Sequence, residues 1–90
     1  MTHYVFKLFI TGRSPHADTA LANLKHVCDT LLDDECSITV VDVDKDPEQA
    51  EIDQILATPT LVKEYPLPQR RIIGDLSDIE KVKKALGLGY

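Results

Sequence analysis

The segment Tyr4-Val5-Phe6-Lys7-Leu8-Phe9-Ile10 limits the possible folds more than any other part of this chain. It is nearly all apolar, rich in strand-forming residues, and lacks the polar–apolar alternation of a half-buried strand. Such a run predicts a strand covered on both faces. A strand of that kind lies inside a sheet that carries a layer on each side, which points to the α/β class. The next residues agree with that class. Thr11-Gly12-Arg13 is a turn, Ser14 sits at a helix N-cap, and Pro15 occupies the first helical position. Ala17, Ala20, Leu21, Leu24, Val27, Cys28 and Leu31 then recur at three- and four-residue steps, which predicts one apolar helix face. Asp18 suits the positive end of that helix's dipole, and Asp33-Asp34-Glu35 ends it.

A second strand is expected over Ser37–Val43. It alternates better than the first and is more polar, so it belongs at an edge. Asp46, Pro47 and Gln49 start a short helix, with Ile52, Ile55 and Leu56 expected inward. Thr58-Pro59-Thr60 breaks it. Strands are predicted from Thr60 to Tyr65 and from Arg70 to Ile73. The short Pro66-Leu67-Pro68-Gln69 connection makes that pair antiparallel. Ser77 and Glu80 read as a capping box for a last helix with Ile79, Val82, Ala85 and Leu86 inward and Gly87 at its end. The order is βαβαββα. A right-handed crossover makes the first two strands parallel. The first strand is the most buried candidate, which gives the sheet order 2-1-3-4, a mixed four-stranded, thioredoxin-like layout.

Composition narrows the function classes. Ninety residues are expected to form a single domain over 1–90. A net charge of −5 argues against a general nucleic-acid binder. No apolar run approaches the ~20 residues of a membrane span, and Met1–Lys7 lacks the layout of a signal peptide. A soluble cytoplasmic protein is the expectation.

Thiol chemistry on this fold needs a cysteine at the start of the first helix, where the helix dipole favours the thiolate. That stretch reads Thr11-Gly12-Arg13-Ser14-Pro15, so no catalytic residue is assigned. Cys28 reads as a small buried hydrophobe and Cys36 as a quiet thiol; two cysteines do not make a disulfide scaffold. His3, His16 and His26 are scattered, and the acidic stretch from Asp42 to Asp53 lacks the glycine and spacing of a calcium loop, so no metal or cofactor is expected. Two features stand out. Pro59 precedes the third strand at the place where thioredoxin-like folds hold a cis proline. Lys63, Arg70 and Arg71 flank the hairpin of an otherwise acidic chain and suit docking on an acidic partner.

Ile55-Leu56-Ala57-Thr58-Pro59-Thr60-Leu61 followed by Arg70-Arg71-Ile72-Ile73-Gly74-Asp75-Leu76-Ser77 resembles the KaiB family of circadian clock proteins. Tyr4–Leu8, Val41-Asp42-Val43 and Asp46-Pro47 fit as well, so the resemblance covers nearly the whole chain. It implies a non-enzymatic regulator that docks on the N-terminal ATPase ring of a hexameric KaiC. It also implies capture of KaiA and competition with the clock-associated histidine kinase SasA, whose sensory domain shares the fold. The family is further known to switch between a tetrameric ground state, βαββααβ, and a thioredoxin-like monomer that binds KaiC. Pro59, Gly74 and Asp75 are the switch positions this resemblance suggests.

Two departures mark a divergent paralogue. Many members carry Arg at the position of Thr19 and Lys at the position of Gln54, whereas Lys63, Arg70 and Arg71 are kept. Gly87–Tyr90 is all that corresponds to a longer acidic tail in clock members. An adaptor or stress-response role outside a core oscillator is the alternative reading. The local signals for a last helix over Asp78–Leu86 favour the thioredoxin-like monomer over the tetramer.

Overall fold

A computed structural model describes residues 2–87. The elements run β1 (Tyr4–Ile10), α1 (Pro15–Leu31), β2 (Cys36–Asp42), α2 (Pro47–Ile52), β3 (Thr60–Tyr65), β4 (Arg70–Ile73) and α3 (Ile79–Ala85). The sheet order is β2-β1-β3-β4, with the most apolar strand inside the sheet as expected. β1 pairs parallel with β2, with Tyr4 opposite Cys36 and Phe9 opposite Val41. It pairs antiparallel with β3, with Leu8 opposite Leu61. β3 and β4 form the expected antiparallel hairpin, with Lys63 opposite Arg70 and Val62 opposite Arg71.

Because β1 is central, its side chains feed two cores. Phe6, Leu8 and Ile10 join Leu61 and Ile72 of the sheet beneath α1 and α3. Ala17, Ala20, Leu24, Val27 and Cys28 of α1 and Val82 of α3 close that core. The opposite face is smaller: Phe9, Val41 and Val62 pack with Val43 and Ile55 below the α2 segment. One long helix and one short helix cover the first face, whereas a single short helix covers the second. Most buried area, and so most hydrophobic stabilisation, lies on the α1 side.

The caps explain where helices begin. Ser14 Oγ accepts from Ala17 N at 3.1 Å, and Asp46 Oδ1 accepts from Gln49 N at 3.3 Å. At α3 the expected capping box does not form. Asp78, not Ser77, is the N-cap, and its carboxylate accepts from Lys81 N at 3.2 Å. The reason lies upstream: Asp75 Oδ1 takes the Ser77 amide at 3.1 Å, which holds Ser77 in the preceding turn.

α2 also ends earlier than its apolar spacing suggests. Gln54 adopts φ +56°, its amide donates to Glu51 O at 3.1 Å, and the Ile55 amide donates to Ala50 O at 2.9 Å. That is a Schellman closure with glutamine in the left-handed position. The helical period therefore stops before Leu56. Ile52 is 72% and Leu56 96% exposed, and of the three residues expected inward only Ile55 packs on the sheet. In α3, Val82 and Leu86 are buried while Ile79 is 39% exposed, and Gly87 ends the helix at φ +77°. The stretch beyond Gly87, where the resemblance places a shortened tail, lies outside the described residues.

Candidate functional site

Three places on this scaffold carry the residues the sequence singled out. The first is the cleft where α1 begins. Ile10, Thr11, Ser14, Pro15, His16, Ala17, Thr58 and Pro59 line about 320 Å³ there. The Thr58–Pro59 peptide is cis, and Thr11 Oγ1 and Thr58 Oγ1 share a hydrogen bond of 2.6 Å across the cleft. Ser14 Oγ is occupied by the Ala17 amide. The helix start thus offers hydroxyls and no thiol.

Both cysteines lie at the far end of α1. Contrary to the reading of two quiet, separate thiols, Cys28 and Cys36 are joined as a disulfide. Cys28 is in the last two turns of α1 and Cys36 opens β2, so folding the helix back along the sheet brings them together. A separation of eight residues has no local signature that could have announced the pairing.

The second place is the β3–β4 hairpin with its basic residues. Strand register divides them between the two faces of the sheet. Lys63 and Arg70 are cross-strand partners on the face that carries Phe6 and Leu61. Arg71 pairs with Val62 and belongs to the α2 face. Their environments differ accordingly. Lys63 is only 5% exposed, and burial, with the neighbouring Arg70 charge, holds its ammonium below the ordinary lysine value of 10.5. Among the described residues neither Lys63 nor Arg70 enters an ion pair. Arg70 is exposed and points its charge to solvent. Arg71 is committed elsewhere: Nη1 donates to Gln54 O at 3.2 Å and Nη2 donates to Asp53 O. It therefore clasps the end of α2 to the edge strand.

A lysine that the sequence reading passed over completes this clasp. Lys7 Nζ lies 3.3 Å from both Asp53 Oδ2 and Glu64 Oε2. Burial of Lys7 opposes its charge, but the hydrogen bonds and charges of Asp53 and Glu64 outweigh that and raise its pKa. Gln49 Nε2 also donates to Asp53 Oδ2, at 3.1 Å. The only sequence clue was a lone cation in an apolar central strand. The hairpin tip meanwhile leaves Tyr65 and Leu67 at 53% and 75% exposure beside the exposed Arg70, a composition that suits protein contact.

The third place joins the proline loop to the β4–α3 connection. The Gly74 amide donates to Pro59 O at 2.9 Å, so Pro59 and Gly74 are brought together. Gly74 has φ +119°, a conformation that favours glycine, and Leu76 follows at φ +66°. Asp75 O accepts from Asn23 Nδ2 at 2.8 Å, which ties the connection to α1. The Asp75 carboxyl is held below its ordinary range by hydrogen bonds from the side chain and amide of Ser77. Thr19 is exposed on α1. Gln54 lies in the left-handed turn after α2, with its carbonyl taken by Arg71.

A βαβαββα chain with this sheet order, a cis proline before β3 and no thiol at the start of α1 defines a thioredoxin-like protein without the thioredoxin motif. Solved structures agree on the fold. The N-terminal domain of SasA from Synechococcus elongatus superposes with a TM-score of 0.78 at 23% identity, over 97% of this chain and 86% of that one. Mitochondrial thioredoxin 3 from Saccharomyces cerevisiae gives 0.74 at 18% identity, over 98% and 81%. The chain belongs to the KaiB family: residues 7–88 match the KaiB domain. It is 49% identical to the circadian clock oscillator protein KaiB of Synechococcus elongatus over 87 residues, 97% of this chain and 85% of that protein. The circadian clock protein KaiB3 of a Synechocystis strain is 41% identical over 88 residues, 98% and 86% of the two.

Proposed function

We propose that this protein is a non-enzymatic, clock-type regulator that works by docking on the N-terminal ATPase ring of a KaiC-like hexamer. The observation that carries this reading is the KaiB domain match over residues 7–88, on a scaffold whose helix-start cleft holds no thiol. The hairpin supplies a surface suited to the task. Arg70 is exposed beside Tyr65 and Leu67, and Lys63 behind it adds charge. In an acidic protein such a cationic end orients the encounter with an acidic partner and speeds association. Arg71 acts less directly, by holding α2 against β4.

Competition with a SasA-type domain for one docking place on the ring is part of the same proposal; that domain shares the fold. Capture of KaiA and cytoplasmic residence belong to the same proposal, as does an exchange with the βαββααβ tetramer. The connection from Gly74 to Asp78 is where such an exchange would begin. It carries a non-glycine residue, Leu76, in the left-handed region, and it is tied down by single hydrogen bonds to Pro59 and Asn23 and by the buried Leu76 side chain.

Thr19 and Gln54 favour a second reading, an adaptor outside a core oscillator, because both are uncharged at positions where the family resemblance leads one to expect a cation. One titration separates the two. The protein is added to a KaiC-type hexamer at rising salt, and complex mass and affinity are followed. Saturable binding that weakens with salt, and weakens further in Arg70→Glu, is expected. No association at low salt would refute ring docking and leave the adaptor reading.

A further inference from the structure

The cysteine pair is a reactive feature of the fold that the proposed docking does not use. Three observations bear on it. First, Cys28 and Cys36 have Cα atoms 6.1 Å apart, within the range a disulfide spans without moving the backbone. Second, the connection between them is set by its own backbone. Asp33 and Asp34 take φ +51° and +60°, Asp34 N donates to Cys28 O at 2.8 Å, and Glu35 N donates to Leu32 O at 2.9 Å. Tyr4 N donates to Glu35 O at 2.8 Å and fastens the end of the turn to β1. None of these hydrogen bonds involves a sulfur, so the backbone by itself holds the two cysteines close to each other. Third, both cysteines line an open depression of about 490 Å³, together with Lys25, His26, Asp29 and Asp34. Cys36 is half-buried, whereas Cys28 is 5% exposed. A small thiol or disulfide can enter, and it meets Cys36 first.

We propose that Cys28 and Cys36 form a reversible redox site, modified by low-molecular-weight thiols and disulfides of the glutathione class, whose state sets how firmly α1 is held to the edge strand β2. In the oxidising direction the Cys36 thiolate attacks glutathione disulfide, forming a Cys36–glutathione bond and releasing one glutathione thiolate. The Cys28 thiolate then attacks the Cys36 sulfur, forms the intramolecular bond and releases the second. The cysteine pair loses two electrons, glutathione disulfide gains them, and the two thiol protons pass to the released glutathiones through solvent. Reduction runs the same steps backwards. The site lies at the opposite end of α1 from the cleft of thioredoxin chemistry, and Cys28 is buried too deeply to reach a protein disulfide. It senses small thiols and does not turn over protein substrates.

The test uses the full chain. It is reduced, desalted and equilibrated in glutathione buffers of increasing oxidised fraction, then quenched with an alkylating reagent and weighed. Both cysteines are expected to pass together from two alkyl groups to none, with the loss of two hydrogens and no lasting glutathione adduct. The oxidised form should melt about 10 °C above the reduced one, because a closed loop restrains the unfolded chain. Amide exchange should slow at Ser37 and Ile38. Cys28→Ser should retain one glutathione on Cys36 and melt like the reduced protein. Persistent alkylation at every ratio, a stable mixed disulfide on the unmutated protein, disulfide-linked dimers, or equal melting of the two forms would each overturn the proposal. None of these outcomes depends on whether the chain docks on an ATPase ring.

Discussion

Replacing Arg71 and Arg70 separately by alanine should separate stability from docking. Adjacent in sequence, they lie on opposite faces of the sheet. Arg71 donates to Asp53 O and Gln54 O, the two carbonyls that end α2. Hydrogen bonds from a charged donor contribute roughly 1.5–3 kcal/mol each when buried. Arg71 is exposed, so water competes, and about 1 kcal/mol for the pair is the reasonable figure. In a domain of this size that lowers the melting temperature by roughly 4–8 °C. Arg70 makes no comparable contact among the described residues, and Arg70→Ala should stay within about 0.5 kcal/mol of the parent. Calorimetry reads the first effect. Amide exchange localises it, since the Gln54 and Ile55 amides that close α2 should lose protection in Arg71→Ala. The partner titration should rank the variants the other way, with Arg70→Ala losing more affinity and more of the salt dependence. Arg71→Ala with parental melting and intact α2 protection would refute the reasoning, as would a comparable stability loss in Arg70→Ala.

Three further outcomes rest on named contacts. Asp78→Ala should cost about 1 kcal/mol, whereas Ser77→Ala should cost less than half of that; equal losses in denaturant unfolding would restore the Ser77 cap. Lys63 has a folded-state pKa below its unfolded value, so between the two the unfolded chain holds the extra proton and stability rises with pH. The parent should therefore gain stability relative to Lys63→Met as pH climbs toward 10.5, and parallel stability curves for the two proteins would disprove the burial argument. Leu24→Ala empties a fully buried position beneath α1 and should cost about 3 kcal/mol, while Leu56→Ala, at 96% exposure, should change thermal unfolding negligibly. A large effect at Leu56 would mean that the α2 turn packs inward after all.

What could be read from the sequence was local or periodic. The apolar run of β1, interrupted only by Lys7, placed that strand at the centre, because a strand covered on both faces can go nowhere else. Ser14-Pro15 and Asp46-Pro47 marked helix starts, since a cap is closed by an amide three residues away and needs no partner from the rest of the chain. Crossover handedness then made β1 and β2 parallel, and the motifs from Ile55 to Leu61 and from Arg70 to Ser77 identified the family.

Tertiary structure decided whatever depended on competition or on distance. Ser77 and Asp78 are both good caps, and the Asp75 carboxylate chose between them by taking the Ser77 amide. The apolar spacing of Ile52, Ile55 and Leu56 held only if α2 continued, and a closure at Gln54 ended it. Lys63, Arg70 and Arg71 looked like one basic cluster until strand pairing assigned two to one face and the third to the other. Lys7 gained its partners Asp53 and Glu64, and Cys28 met Cys36, only when helices packed on the sheet. The physical division is one of chain entropy. A contact closed within one turn costs little ordering and is encoded by its own residues, whereas one between distant segments forms only where the whole core has already met that cost.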